Sequence, residues 1–409
     1  PKKSFYAYQE RDINSVFEEM ESAPNRRLLY QLPTGGGKTV VFSEIARRFI
    51  EQFGQTVIIL THRKELCSQT SATLKKTGVQ NRIISSTSGN FKGNCNCYVA
   101  MVETLRNRIK TKKVKVKDVG LVIIDEAHHN SFRKLMGNFK KASIIGVTAT
   151  PFSSDISKPM KRNYHSLITG ENISSLIADG FLARPESFVY EVELNTLKTG
   201  IHGDYTVSSS NELYSSPAML DLLLQAYKER AKNKKTLIFN NGIETSMKVQ
   251  EVFTAAGIPI RHLDNKTLPE ERKEIVQWFK KTKNAVLTSV SLLTTGFDEP
   301  TIHNIILNRA TTSITLYHQM VGRGSRRLPS KKAFTIIDLG NNIQRFGEWQ
   351  EPVDWKFAFE HPDTFAKQLN YQSTGNSSVQ SHALSAELRA RFPKTLEMTF
   401  DIEGNYQEA

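Results

Sequence analysis

Cysteine is scarce in this sequence, and long apolar runs are missing from it. Three cysteines (Cys67, Cys95 and Cys97) occur in 409 residues, too few for a disulfide framework or a four-cysteine zinc site. No stretch approaches the ~18 consecutive apolar residues of a membrane-spanning helix, and residues 1–8 show neither an apolar signal core nor a lipidation motif. We therefore expect neither a disulfide-stabilised secreted domain nor a membrane protein, and we expect a reducing compartment.

Acidic residues are in the minority. The chain has 41 Asp and Glu against 55 Lys and Arg, a net charge of +14. A basic protein favours polyanionic partners such as nucleic acids, although a charge that only aids solubility is the alternative. Apolar residues at 39% and charged residues at 23% are typical of a globular protein, which argues against disorder of the whole chain.

Short apolar strands alternate with longer amphipathic stretches, a pattern typical of parallel α/β sheets. Six strands are predicted before residue 150 and five after residue 235, and a polar segment rich in Ser and Thr lies between the two sets. The predicted strands are residues 27–32, 56–61, 82–86, 97–101, 120–125, 143–148, 236–240, 260–263, 285–289, 304–307 and 333–338.

This distribution predicts an α/β protein with two principal domains. The predicted divisions are an N-terminal domain (1–190), an interdomain connection (191–216), a second domain (217–345) and a C-terminal extension (346–409) to which no role is assigned.

A glycine-rich segment, LYQLPTGGGKT at residues 29–39, follows the first strand and opens a helix. Backbone N–H groups in such a loop bind phosphate, helped by the helix N-terminus. Lys38 is placed to reach the β- and γ-phosphates, and the Thr39 hydroxyl to hold Mg²⁺. Leu32 stands where the strict motif has its first glycine, and a flexible turn before a helix is the alternative. The predicted nucleotide-binding residues are Thr34, Gly35, Gly36, Gly37, Lys38 and Thr39.

Two carboxylates end a buried strand in LVIIDEAHH at residues 121–129, at the sheet edge where α/β proteins place ligands. Asp125 is predicted to hold Mg²⁺ through water, and Glu126 to activate the water that attacks the γ-phosphate. A charged strand end before a helix cap is the alternative. His128 is predicted to couple this site to other elements, and His129 to be a surface or packing residue.

Together with three further motifs, these segments resemble the ordered motif set of superfamily 2 helicases. In chain order the set reads LPTGGGKT, DEAH, TATP (148–151), GFD (296–298) and QMVGRGSR (319–326). The chain looks most similar to RadD-type bacterial DNA-repair ATPases, and less close to the helicase subunits of type III restriction enzymes. The resemblance covers about residues 5–345 and implies two tandem RecA-like P-loop domains with ATP in the cleft between them.

The resemblance also implies roles at the ATP site. Gln9, in YAYQERDI, corresponds to the glutamine that reads adenine, and its amide offers both a donor and an acceptor; an exposed glutamine at a helix start is the alternative. Asp298 corresponds to a ribose or cleft contact, and Gly296 to a close backbone approach.

Motif residues of the second half correspond to groups that act on the γ-phosphate. Gln319 corresponds to a hydrogen-bonding group near it. Arg326 corresponds to the arginine finger and Arg323 to its helper, since planar guanidinium groups stabilise charge on phosphoryl oxygens. Thr148 and Thr150 correspond to the motif that couples hydrolysis to movement of nucleic acid.

Small polar residues at strand ends are predicted to grip the nucleic-acid backbone. Such groups bind phosphate without reading bases, so the binding should be independent of sequence and sensitive to salt. Taken singly, each is more often a helix cap or a turn. A run of seven basic residues within 106–117 is either an auxiliary DNA or RNA patch or a solvated face. The predicted nucleic-acid contacts are Thr61, Arg63, Thr104, Asn241, Thr288 and Ser289.

The predicted function is that of an ATP-dependent DNA helicase or translocase, acting in repair or recombination. Its cofactors would be ATP and Mg²⁺, its partner single-stranded, forked or branched DNA, and its location the bacterial cytoplasm or nucleoid; no membrane partner is expected. An RNA helicase is the first alternative. A nucleotide-dependent binding module with little turnover is the second.

Overall fold

The computed structural model describes residues 5–23, 26–87, 95–111, 118–129, 132–153, 155–200, 203–290, 297–372 and 397–400. These residues form two compact units. The first contains the residues up to Asn172 together with Val353–Phe365, and the second contains Ile173–Pro352 with the described residues after Phe365. In the described part of the chain, no helix is both long and apolar enough to cross a bilayer.

A parallel sheet of seven strands forms the centre of the first unit. Its inner strands are near-continuous apolar runs and are buried almost throughout, as is typical of parallel strands covered on both faces. The strands are β1 (Arg27–Gln31), β2 (Thr56–Thr61), β3 (Arg82–Ile84), β4 (Cys97–Met101), β5 (Val119–Asp125), β6 (Ser143–Thr148) and β7 (Ser166–Thr169). Helices of this unit include α1 (Ala7–Ser22), α2 (Lys38–Phe53), α3 (Lys64–Lys76), α4 (Val102–Lys110) and α5 (Arg133–Met136).

The lateral order of this sheet, β3-β4-β2-β5-β6-β1-β7, positions the motifs. Asp125 of β5 pairs with Val147 of β6, and Gln31 of β1 pairs with Thr148 of β6. Because the strands are parallel, the segments that follow β1, β5 and β6 leave the same edge side by side. The phosphate loop, the DEAH segment and the TATP segment are therefore neighbours.

The second unit also has a seven-stranded sheet, with lateral order β10-β11-β9-β12-β13-β8-β14. All its pairings are parallel except that of β14 with β8. The strands are β8 (Arg184–Tyr190), β9 (Thr236–Asn240), β10 (Ile260–Leu263), β11 (Val286–Val290), β12 (Asn304–Asn308), β13 (Ala333–Asp338) and β14 (Glu397–Phe400). The helices include α6 (Ile173–Ala178), α7 (Val207–Tyr214), α8 (Pro217–Arg230), α9 (Ile243–Ala255), α10 (Pro269–Lys281), α11 (Ile314–Val321) and α12 (Asn342–Phe346).

The boundary between the units falls at Asn172, not at the predicted residue 190. Strand β8 pairs with β13 over its whole length, so it belongs to the second sheet. The predicted connection, 191–216, is likewise part of the second unit, where Asp204 accepts hydrogen bonds from the Thr311 hydroxyl and the Thr312 N–H. The partners lie more than 100 residues downstream, so local sequence pattern does not reveal these pairings.

Part of the predicted C-terminal extension packs in the first unit. Helix α13 (Trp355–Glu360) places Phe359 in that unit's apolar core. The ring of Phe365, at the start of α14 (Pro362–Gln372), lies 5.1 Å from the ring of Phe152, measured between centroids. The chain thus leaves the first unit at Asn172, returns to it at Val353 and leaves again after Phe365.

Candidate functional site

The phosphate loop turns from β1 into α2 on two glycines with left-handed backbone. Gly35 has φ 94° and Gly37 has φ 90°, conformations that favour glycine. Gly37 caps α2, and its carbonyl accepts hydrogen bonds from the N–H groups of Val40 and Val41. Leu32, the departure from the strict motif, is fully buried directly below Gly36, since a Cβ on Gly36 would lie 2.9 Å from the Leu32 Cγ. The leucine therefore supports the loop from beneath.

Helix α1 contacts the underside of this loop through two adjacent side chains. The Tyr8 hydroxyl donates to the Gly36 carbonyl at 2.8 Å, and Gln9 Nε2 lies 3.5 Å from the same oxygen. The Gln9 Oε1 accepts from the Tyr6 N–H at 3.2 Å. Gln9 is thus buried against the loop, and reading of adenine by this residue stays a prediction. Tyr8 was not among the predicted site residues, although its place beside Gln9 in YAYQ is a usable signal.

Replacing Gly37 by Ala tests the loop. The new Cβ would lie 2.7 Å from Gln9 Nε2, at a φ that alanine rarely adopts. We expect an unfolding free energy about 1–3 kcal/mol lower and nucleotide affinity at least about tenfold weaker, measured by thermal unfolding and by titration with a fluorescent ATP analogue. Gly54→Ala is the matched control: Gly54 ends the same helix with φ 67° and nothing near its Cβ position, so only stability should fall. Parent-like nucleotide affinity in Gly37→Ala would show that this loop does not hold the phosphates.

Two carboxylates and a lysine meet at the end of β5. Asp125 is buried, and its Oδ1 accepts from the Glu126 N–H at 3.0 Å. Burial, helped by the Glu126 carboxylate and opposed by the Lys38 ammonium, raises the pKa of Asp125 to about 7. Glu126 itself has φ 51°, a left-handed conformation that follows the end of β5 at Asp125. The structure thus brings Lys38 close to a pair of carboxylates that lie 87 and 88 positions further along the sequence.

This cluster fits a magnesium ion that is shared with a nucleotide. In the described ranges, no group of three or more His, Cys, Asp and Glu side chains is arranged to hold a metal alone. Mg²⁺, however, is commonly bound by one or two carboxylates plus substrate phosphates. The buried Asp125 carboxylate gains from a cation beside it, and Thr39 stands in the first turn of α2. Their role as metal ligands stays a prediction.

The DEAH and TATP segments are joined by hydrogen bonds. His128 Nδ1 lies 3.0 Å from the Thr148 hydroxyl and 3.5 Å from the Glu126 Oε2. Thr148 Oγ1 in turn accepts from the Thr150 N–H and donates to the Thr150 carbonyl, both at 3.1 Å. Burial lowers the pKa of His128 to about 3, so the ring is neutral. The three predicted coupling residues therefore form one network that ends on Glu126.

The GFD and QMVGRGSR segments lie together in the second unit. Gln319 is buried in α11. Arg323 donates from NH1 to the Phe297 carbonyl at 2.8 Å, and Arg326 Nε donates to Asp298 Oδ1 at 3.1 Å. Side chains of that ion pair are 35% and 60% exposed, so both remain accessible to solvent. Gly296 lies outside the described residues.

Lys331, which was not among the predicted site residues, supports the turn that carries the two arginines. Its ammonium is buried and donates to the carbonyls of Gly324 (2.8 Å) and Ile302 (2.7 Å). Burial lowers the pKa of Lys331 to about 7. In the sequence, LPSKK is typical of an exposed charged turn, so nothing local marks this lysine as buried.

The predicted nucleic-acid contacts are only partly exposed. The Thr61 hydroxyl is buried and donates to the Arg63 carbonyl at 3.2 Å. The Thr288 hydroxyl is buried and accepts from Asn240 Nδ2 at 2.8 Å. Both hydroxyls therefore hold strand ends in place, and their contact with nucleic acid stays a prediction. Ser289 is also buried, whereas Arg63, Thr104 and Asn241 are part-exposed.

The basic run is not a continuous surface patch where it is described. Arg108 is buried and donates to the Ser86 carbonyl at 2.9 Å, and Arg106 pairs with Glu103 at 2.7 Å. The four lysines at 112, 113, 115 and 117 lie outside the described residues.

Comparisons with known proteins agree with this arrangement of motifs. Residues 2–153 match the family model described as type III restriction enzyme, res subunit, and residues 217–327 match the helicase conserved C-terminal domain. IRC3 of Saccharomyces cerevisiae, named as a candidate ATP-dependent helicase, is 31% identical over 357 residues. That alignment covers 81% of this chain and 51% of IRC3, so the chain spans about half the length of this relative.

Two further relatives match over more of their own length. A 51.5 kDa protein of Lactococcus phage (isolate 7-9) is 30% identical, with 81% of this chain and 70% of the phage protein covered. The structure of a fragment of a candidate HsdR subunit of a type I restriction enzyme from Vibrio vulnificus YJ016 has a TM-score of 0.65 at 23% identity, covering 85% of this chain and 67% of that one. The chain therefore belongs to the superfamily 2 helicases related to restriction-enzyme helicase subunits, and its two sheets are tandem RecA-like domains.

Proposed function

We propose that this chain is an ATP-dependent DNA helicase or translocase. The observation that carries the proposal is the cluster of Lys38, Asp125 and Glu126 beside the phosphate loop, joined through His128 to Thr148. A phosphate cradle, a buried carboxylate for a cation and a second carboxylate for a water molecule are the groups that hydrolysis of a nucleoside triphosphate requires. A neutral His128 that contacts both Glu126 and Thr148 links that chemistry to another strand end.

In the proposed reaction, the loop N–H groups and Lys38 bind the β- and γ-phosphates. Thr39 and Asp125 would hold Mg²⁺, which when bound would supply positive charge near the phosphate oxygens. Glu126 accepts a proton from the water that attacks the γ-phosphorus, the bond from that phosphorus to the β–γ bridging oxygen breaks, and ADP and phosphate result.

The arginines of the second unit complete the proposed site during turnover. Arg326 exchanges its Asp298 partner for the γ-phosphate, and Arg323 supports it from the Phe297 carbonyl. A guanidinium group that reaches the phosphoryl oxygens stabilises the charge that develops on them.

DNA is the proposed track. The net charge of +14 favours a polyanion, and the likeness to restriction-enzyme subunits favours DNA over RNA. Arg63, Thr104 and Asn241 are the part-exposed candidates for contacts to its backbone. Repair or recombination is the proposed setting, in the bacterial cytoplasm or nucleoid.

Steady-state ATP hydrolysis tests the proposal. The parent protein is measured without nucleic acid and with single-stranded, duplex and forked DNA and matched RNA, and Lys38→Ala serves as the blank for contaminating ATPases. We expect DNA to stimulate hydrolysis at least about tenfold, with a half-saturating concentration that rises steeply with salt.

Each of the other possible outcomes would assign a different function to the chain. Stimulation by RNA alone would make the chain an RNA helicase. ATP binding with turnover no higher than that of Lys38→Ala would make it a nucleotide-dependent binding module. High turnover without any nucleic acid would remove the DNA track from the proposal.

A further inference from the structure

Three histidine rings lie in contact in the first unit. The ring of His129, just after β5, lies between the rings of His62 and His128. Its centroid is 4.3 Å from that of His62 and 4.4 Å from that of His128, with interplanar angles of 45° and 41°. Burial lowers the pKa of His62 to about 4 and of His128 to about 3, and it lowers the pKa of His129 as well. The rings are therefore neutral near pH 7 and pack without charge repulsion.

The contacts among these rings are packing contacts. Among the described residues, the buried nitrogens Nδ1 and Nε2 of His62 and Nε2 of His129 have no hydrogen-bond partner. The three side chains thus interact through the packing of their rings. A movement of one flat ring in close packing displaces the next, because protein interiors leave little free space.

The other two rings lie next to different parts of the proposed enzyme, His62 beside the proposed DNA track and His128 beside the proposed nucleotide site. His62 lies between Thr61 and Arg63, where β2 ends and where the backbone of DNA is proposed to pass. At the other end, His128 contacts Glu126 at 3.5 Å and the Thr148 hydroxyl at 3.0 Å. The ring of His129 contacts both of the other rings, and its backbone N–H donates to the Glu126 carbonyl at 3.1 Å.

Resting on the proposed function, we propose that His129 is a positioning residue that relays the engagement of DNA at the end of β2 to the Glu126 carboxylate. DNA that binds at Arg63 shifts the His62 ring, His129 passes the shift to His128, and His128 brings Glu126 into line with the attacking water. Removal of the middle ring should uncouple DNA binding from hydrolysis and leave each process intact by itself.

The experiment compares His129→Ala and His129→Phe in the full chain. Measured quantities are the basal turnover number, the KM for ATP, the maximal stimulation by single-stranded DNA and the half-saturating DNA concentration. His129→Ala should keep basal turnover and KM within about twofold and half-saturating DNA within about threefold, yet lose at least about tenfold of the maximal stimulation. His129→Phe, which keeps a flat ring, should recover most of that stimulation.

His165→Ala is the matched control. His165 is an exposed histidine of the same unit whose Nδ1 accepts from the Arg27 N–H, and its replacement should leave stimulation unchanged. If thermal unfolding shows that His129→Ala does not fold, His129→Leu fills the space without a ring: lost stimulation supports the proposal, and parent-like stimulation overturns it.

Three results would overturn the proposal. They are parent-like stimulation in His129→Ala, an equal fall in basal and stimulated turnover, and weaker DNA binding with full stimulation at saturation. A parent protein that no DNA stimulates would instead overturn the proposed function, and this relay with it, so the two failures are distinguishable.

Discussion

Replacing Glu126 by Gln should lower the turnover number for ATP hydrolysis by about 10²–10⁴-fold, with ATP affinity within a few fold of the parent. The amide has the size of the carboxylate but cannot accept a proton from water. Glu126 bonds to Asp125 through its backbone N–H, which Gln retains, so the strand end should keep its geometry. Phosphate release gives the turnover number, and titration with a fluorescent ATP analogue gives the affinity.

Glu103→Gln is the control for this variant. Glu103 lies in the first turn of α4 and pairs on the surface with Arg106, and exposed pairs contribute little to stability. Its replacement should leave turnover unchanged. Hydrolysis at the parent rate in Glu126→Gln would show that another group activates the water, and the proposed mechanism would then be wrong at this residue.

Replacing Arg326 by Ala should lower the turnover number by about 10³–10⁵-fold, the range known for arginine fingers. Arg326→Lys should restore little, because an ammonium group lacks the planar fork that contacts two phosphoryl oxygens. ATP affinity should change far less, since the phosphate loop and Lys38 lie in the other unit. Single-turnover hydrolysis under saturating ATP and DNA measures the effect on the chemical step.

Arg327→Ala separates this role from a general effect of charge. Arg327 is the next residue, and it donates to the Gly180 carbonyl at 2.6 Å in an exposed position. We expect turnover within about threefold of the parent. If Arg326→Ala kept more than about a tenth of parental turnover, Arg326 would not be the finger.

The sequence pattern predicted those segments of the candidate site that consist of consecutive residues. The strand, glycine turn and helix around Lys38 occupy neighbouring positions in the chain, and so do the strand and carboxylates at Asp125. Their adjacency followed from parallel pairing, which sends all these strand ends to one edge. Each strand is likewise formed by neighbouring residues, and most predicted strands agree with the structure to within one or two residues at each end.

Features that depend on pairing between residues far apart in the sequence were not predictable. Strand β8 joins the second sheet by pairing with β13, about 150 residues away, and nothing in RPESFVY indicates which sheet it enters. The internal hydrogen bonds of the Thr61 and Thr288 hydroxyls, with the Arg63 carbonyl and the Asn240 amide, were not predicted either. Lys331 is buried because two carbonyls happen to converge on it, which composition does not reveal.

The return of Val353–Phe365 to the first unit has a consequence for how the protein can be divided. Phe359 belongs to a core whose other members all precede Asn172, so the first unit is not one contiguous stretch of chain. A fragment that stops at Asn172 leaves a gap in its own core, and a fragment that starts at Ile173 carries a stray apolar segment. The two units are therefore interleaved along the chain, and a fragment made by a single cut reproduces neither unit.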